Sequence, residues 1–214
     1  LLDFPLRGVA WYQGESNAHN PDSWRFDLLA RSWRMRTGDI SLPFYIVQLS
    51  GIERPSWPWL RNTQRLAQRS VFATQMVVTS DLGLRHDVHP PYKRPVGERL
   101  AQSMLRHTYG RSSTPVSPEV GQQSLVKDDR VELDLREAQG LHGSDGQPLR
   151  GFEIAGADEL FYTATVQLDA EGKVQLRSSE VAKPCYVRYG WQPFPTCNVV
   201  NAAGLPLGTF RIRL

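Results

Sequence analysis

The sequence predicts an α/β fold over residues 1–112, with a parallel sheet covered by helices on both faces, then an antiparallel β-sandwich-like region over residues 113–214. Three observations carry this. Apolar, β-rich runs alternate with segments of helical periodicity up to about residue 110. Beyond Gly110 the pattern becomes short alternating runs separated by turn residues. Two polar segments follow the first and third predicted strands, where an open parallel sheet places its ligand site.

Each element follows in order. Gly8-Val9-Ala10-Trp11-Tyr12 is a short apolar run, read as a buried strand. Asp22, after Pro21, can cap a helix in which Trp24, Leu28 and Trp33 recur at roughly helical spacing; Gly38 suits the left-handed residue that ends it. Pro43 to Leu49 reads as a second buried strand. A second helix is expected from Trp59 to Phe72, with Leu60, Ala67 and Val71 on one face. Met76-Val77-Val78-Thr79 is the third strand. Pro95 to His107 is the third helix, with Val96, Leu100 and Ser103 in one stripe and Gly110 as its stop. Arg111 to Pro118 has the composition of a linker. After it come strand-like runs at Val131–Leu135, Phe152–Ile154, Thr165–Leu168, Val174–Leu176 and Tyr186–Tyr189. Turn pairs such as Asp145-Gly146 and Glu171-Gly172 separate them.

Composition excludes some functions. Hydrophobic residues make up 40% and charged residues 22%, ordinary for a globular protein of 214 residues. The formal charge of +3 is spread without basic runs, so no nucleic acid is expected, though an anionic ligand is compatible with it. No apolar stretch is long enough to span a bilayer, so no membrane partner is expected. The chain opens at Leu1-Leu2-Asp3-Phe4-Pro5 without a visible signal peptide and reads as a fragment. Cys185 and Cys197 are close in a segment rich in Pro and aromatics. They form either a disulfide, implying an oxidising compartment, or two half-buried thiols.

Two segments have the residues for chemistry. His86-Asp87-Val88-His89-Pro90 follows the third strand. A histidine there can act as general base while a carboxylate holds its other ring nitrogen, and Asp87 and Asp81 are both candidates. The same loop could instead be plain surface. His86, Asp87 and His89 are also metal-ligand types, and a metal-dependent deacetylase is one rival reading. Their spacing matches no standard zinc pattern, so neither metal nor cofactor is expected. The second segment, Gln13-Gly14-Glu15-Ser16-Asn17, offers amides at a strand end that could stabilise an oxyanion, or simply a polar turn before the next helix. Ser16 lacks a Gly-x-Ser-x-Gly elbow. Trp57, Trp59 and Trp191 would either pack in cores or stack on sugar rings, as in a non-catalytic carbohydrate-binding protein.

Several blocks resemble sialate O-acetylesterases. Gly8-Val9-Ala10-Trp11-Tyr12-Gln13-Gly14-Glu15-Ser16-Asn17 is similar to that family's first block. Asp81-Leu82-Gly83, Asp87-Val88-His89-Pro90, Lys93 and Pro95-Val96-Gly97-Glu98-Arg99-Leu100-Ala101 resemble its histidine block. Gly151 to Gly156, Val187 to Trp191 and Asn201 to Pro206 resemble its C-terminal β region, so the likeness runs in order over nearly the whole chain.

The resemblance implies a flavodoxin-like SGNH hydrolase fold and an acyl-transfer esterase that removes O-acetyl groups from a sugar, sialic acid first and xylan or another acetylated sugar as the alternative. It implies His89 as the base, Gln13 and Gly14 near the oxyanion, and Glu15 ordering the loop or touching substrate. Such hydrolases place an Asp three residues before the His; here that residue is His86, and Asp87 stands two before. The orienting group is therefore Asp87, Asp81 or a backbone carbonyl. The family's nucleophile lies in a Gly-Gln-Ser-Asn motif that these 214 residues lack. The expected partners are thus an O-acetylated sugar and an N-terminal fragment carrying the Ser. The expected location is a secreted, periplasmic or lysosomal-like compartment.

Overall fold

Phe44–Gln48 is buried at every residue, and this strand organises the first half of the molecule. A strand with no exposed side chain must be covered on both faces. The computed structural model, which describes residues 4–18 and 23–214, shows how. Asp22, the expected helix cap, and the side chain of Trp24 lie outside the described residues.

The chain divides into two compact units, Leu1–Val116 and Ser117–Leu214. In the first, β1 (Val9–Trp11), α1 (Ser23–Thr37), β2 (Phe44–Gln48), α2 (Trp57–Ser70), β3 (Thr74–Val78) and α3 (Arg94–His107) alternate. The strands pair in parallel in the order β1-β2-β3. Phe44 meets Phe26 and Trp33 of α1 edge-on, with ring centroids 5.7 and 6.4 Å apart. The next residue, Tyr45, points to the opposite face, where its hydroxyl lies 2.5 Å from Thr108 Oγ1 at the end of α3. One step along the strand moves the side chain from the α1 side to the α3 side. The expectation of helices on both faces holds.

Local chemistry sets the boundaries. Gly38 ends α1 at φ +70°, the left-handed conformation that glycine adopts at least cost. Phe26, Ala30 and Trp33 face the core, whereas Leu28 is exposed, so the inward stripe of α1 is not the one its Leu28 spacing indicates. Arg34, nearly buried, donates to Leu42 O at 3.1 Å and Phe72 O at 2.6 Å, tying α1 to the segments that enter β2 and β3. α2 begins at Trp57, two residues before the expected start. Pro58 sits in its first turn, where a missing N–H costs nothing.

The second unit is all β. Its strands are β4 (Glu119–Val120), β5 (Leu125–Lys127), β6 (Arg130–Leu133), β7 (Leu135–Arg136), β8 (His142–Gly143), β9 (Phe152–Ala155), β10 (Phe161–Thr163), β11 (Thr165–Leu168), β12 (Val174–Arg177), β13 (Tyr186–Tyr189), β14 (Val199–Val200) and β15 (Phe210–Arg213). Two four-stranded antiparallel sheets, β10-β9-β13-β15 and β11-β12-β6-β5, share one apolar core. Val131, Phe152, Ile154, Leu176, Val187 and Phe210 are its centre, each with about 1% exposure or less. The predicted strand Val131–Leu135 breaks at Asp134. That residue's N–H bonds Ser124 Oγ at 3.1 Å, and its carboxylate accepts from Gln123 N at 3.0 Å. Cys185 and Cys197 are half-buried thiols with no disulfide between them. Among the described residues no helix is long and apolar enough to cross a membrane.

Candidate active site

In a parallel sheet every strand ends at the same edge, so the segments after β1, β2 and β3 must emerge together. After β1 the chain turns at Gly14, whose φ of +139° strains any residue with a side chain. Glu15–Asn17 then form a 3-10 turn closed by Asn17 N donating to Gly14 O at 2.8 Å. Gln13 Nε2 donates to Asn17 Oδ1 at 2.6 Å, bracing the turn. Gln64, buried on α2, locks this loop to β2. Its Nε2 donates to Val47 O at 3.1 Å and reaches Gln13 O at 3.5 Å, and its Oε1 accepts from Leu49 N at 2.9 Å. Sequence reasoning missed Gln64. The available signal was a polar residue between Leu60 and Ala67 on the inward face of α2.

The segment after β2 supplies a floor. Trp57 is buried and donates its indole N–H to Ser50 O at 2.6 Å, so its role is packing. Leu49, Ile52, Trp57 and Leu60 form an apolar cluster, and two partly buried side chains lie on it: Tyr12 from the first loop and Val88 from the histidine loop. Lys93 Nζ closes the contact, 3.4 Å from Tyr12 Oη and 4.8 Å from the centre of its ring. The two polar segments singled out in the sequence thus converge on one cluster.

The histidine loop is held at its root. Both Asp81 oxygens accept from Arg99 of α3, at 2.7 and 2.6 Å, and Arg99 also donates to Val78 O at 2.8 Å. Gly83 lies against the backbone of Gly51, where a Cβ would meet Gly51 O at 2.0 Å. Glu53 N donates to Arg85 O at 2.9 Å, and the two side chains form an ion pair. At the tip, Asp87 Oδ1 accepts the backbone N–H of His89 at 2.8 Å and lies 3.4 Å from His89 Nδ1. The His89 side chain is 88% exposed and that of Asp87 58%.

The carboxylate beside His89 is therefore Asp87, while Asp81 is committed to Arg99. Glu15 lies half-buried in the 3-10 turn, and Ser16 is exposed there, with no hydrogen bond to His89 among the described residues. His86 is exposed. Among the described residues no three His, Cys, Asp or Glu side chains gather to hold a metal ion.

The first unit is thus an α/β unit with a histidine–carboxylate pair and an amide-bearing turn at the carboxyl edge of its parallel sheet. Comparison gives the family. Residues 2–106 match the family described as "Carbohydrate esterase, sialic acid-specific acetylesterase". A crystal structure described as a novel carbohydrate acetylesterase from Xanthomonas citri is similar to this chain with a TM-score of 0.89 and 36% sequence identity. The likeness covers 99% of this chain and 51% of that one, so the chain spans about half the length of that relative. No curated protein matches. Residues 2–106 thus match the sialic acid-specific acetylesterase family of carbohydrate esterases, as the resemblance in the sequence implied.

Proposed function

We propose that this chain carries the acid–base half of an esterase that removes O-acetyl groups from sialic acid. The observation that carries the reading is the convergence of the Gln13-Gly14-Glu15 turn and the Asp87–His89 pair on the cluster under Tyr12 and Val88. In this reading a Ser hydroxyl attacks the acetyl carbonyl carbon, and His89 Nε2 takes its proton. Donors at the Gln13-Gly14 turn stabilise the oxyanion. The ester C–O bond then breaks, and His89 returns the proton to the departing sugar oxygen. Water, deprotonated by His89, then attacks the acyl-Ser carbonyl; the C–Oγ bond breaks, His89 returns the proton to Ser Oγ, and acetate leaves. Asp87 holds Nδ1 and stabilises the transient imidazolium.

The Ser comes from a segment outside these 214 residues. Two observations support this: the chain contains no Gly-Gln-Ser-Asn motif, and β1 pairs only with β2 among the described residues, leaving its other edge for a further strand. The charge of Lys93 on the histidine loop supports an anionic sugar.

Fluorophosphonate labelling tests the nucleophile, because only an activated Ser reacts. The 214-residue chain alone is expected to stay unlabelled, and a longer polypeptide that includes a Gly-Gln-Ser-Asn segment is expected to label at that Ser. Labelling of Ser16 in the chain alone would overturn the assignment. Acetate release from O-acetylated sialic acid and from acetylated xylan tests the substrate; faster release from xylan would move the specificity to a neutral polysaccharide.

A further inference from the structure

The second unit contains a cleft that the esterase reading does not use. It has a volume of about 140 Å³ and lies beside Trp191, with Arg150, Glu153, Thr163, Gln192 and Thr196 around it. A water needs about 10–15 Å³ of such space, so the cleft has room for roughly ten waters, enough for one sugar ring. We propose that the cleft binds one neutral sugar ring of an oligosaccharide, with the ring laid on Trp191.

The cleft is built before any ligand arrives. Trp191 follows Gly190, the first residue beyond β13, whose φ is +59°. Gly190 N donates to Gly151 O at 3.0 Å, joining the mouths of β13 and β9. The loop that follows, Trp191-Gln192-Pro193-Phe194-Pro195, contains two prolines that fix φ and reduce the freedom a binding loop would otherwise lose. It returns close over Gly151, where a Cβ would meet Cys197 Cβ at 2.5 Å. Only glycine at 151 lets the loop sit there.

The polar wall is equally fixed. Arg150 Nε donates to Thr196 O at 3.0 Å, and its Nη2 lies 2.6 Å from Asp145 Oδ2. Glu153 accepts from Arg188 through both oxygens, at 2.8 and 2.9 Å, and the Arg188 guanidinium stacks 4.0 Å over Phe161 and 5.9 Å from the Trp191 ring. Thr196 Oγ1 reaches Gln192 Oε1 at 3.5 Å.

The charges name the ligand class. Arg150 is matched by Asp145 and Arg188 by Glu153, so the cleft offers no net charge to an anion. What it offers is an aromatic ring, an amide and hydroxyls. Those groups suit the apolar face and the hydroxyl rim of an uncharged pyranose. This site is independent of His89 and of the reaction proposed there.

Calorimetric titration of the 214-residue chain with xylohexaose, cellohexaose and mannohexaose tests the inference, with hexagalacturonate as an anionic chain of equal length. At least one neutral hexaose is expected to bind, with Trp191→Ala weakening it about tenfold or more. Trp191→Phe, which keeps a ring, should lose less. The exposed Gln192→Ala is expected to weaken binding several-fold without altering the unfolding midpoint. His89→Ala should bind as the unaltered chain does. The inference is overturned by tighter binding of hexagalacturonate, by unchanged affinity in both Trp191→Ala and Gln192→Ala, or by loss of binding in His89→Ala. Absence of binding by all three neutral hexaoses up to about 10 mM also overturns it.

Discussion

Two aspartates of the histidine loop have different neighbours. Asp81 faces Arg99, whose side chain is nearly buried and draws both carboxylate oxygens into a fork. Asp87 is left beside His89. On the proposed mechanism, His89→Ala in the longer, Ser-bearing protein should lower kcat/KM for acetyl-ester hydrolysis by about a thousandfold or more, with little change in KM. Steady-state kinetics checks this; near-normal turnover would remove His89 as the base. Asp81→Ala is a different case. It strips a mostly buried guanidinium of its charge partner and is expected to cost about 1–3 kcal/mol of stability, read from urea unfolding. Both aspartates are visible in the sequence as candidates. Where Arg99 lies is not, because it comes from the following helix and meets Asp81 only after α3 has packed against β3.

At the scale of elements, the histidine loop is placed by backbone contact as much as by side chains. Gly83 and Gly51 touch at a distance that admits no Cβ. Gly83→Ala must push the loops after β2 and β3 apart and is expected to cost about 1–3 kcal/mol. Its thermal midpoint should fall, and on the proposed mechanism the esterase activity of the Ser-bearing protein should fall with it. A Gly83→Ala protein of unchanged midpoint would show that the loops are not in this contact. Gln64 performs the matching task for the first loop from within α2, between apolar neighbours. The helix periodicity was readable because Leu60, Ala67 and Val71 recur on one face. The bridging function of Gln64 was not, since it depends on which carbonyls of β2 the helix crosses. The weakest strands were also missed. β5 is exposed at all three residues, so it has no inward stripe to betray it.

At the scale of the whole molecule, the second unit has its own apolar core, drawn from strands across its length. Residues 117–214 expressed alone should therefore fold, giving a dispersed amide spectrum with a cooperative melt. A collapsed spectrum would refute that independence. Asp145 makes this unit acid-sensitive. Hydrogen bonds from Arg150 and then Asn198 hold its carboxyl well below the usual carboxylate range. The folded state therefore binds the proton less readily than the unfolded chain, whose Asp titrates near about 3.9. The stabilisation is complete above that value and is lost as pH falls from there through the folded value. Calorimetry across this range should show a falling midpoint for the unaltered protein and a shallower fall for Asp145→Asn.

The alternation of strands and helices up to Gly110, the change to β structure beyond it and the two polar segments at the sheet edge were determined by sequence alone. Each rests on local periodicity or on a residue with a private backbone preference, such as Gly38 ending α1. Tertiary structure decided the rest. It paired Asp81 with Arg99 and left Asp87 beside His89, buried Trp57 while leaving Trp59 half exposed, left Cys185 and Cys197 unbridged, and set Trp191 beside a cleft. These outcomes turn on how residues of different segments meet, as when Asp81 meets Arg99 or Gly151 meets Cys197. Local propensity does not encode those contacts; they appear only when strands are paired and faces are packed.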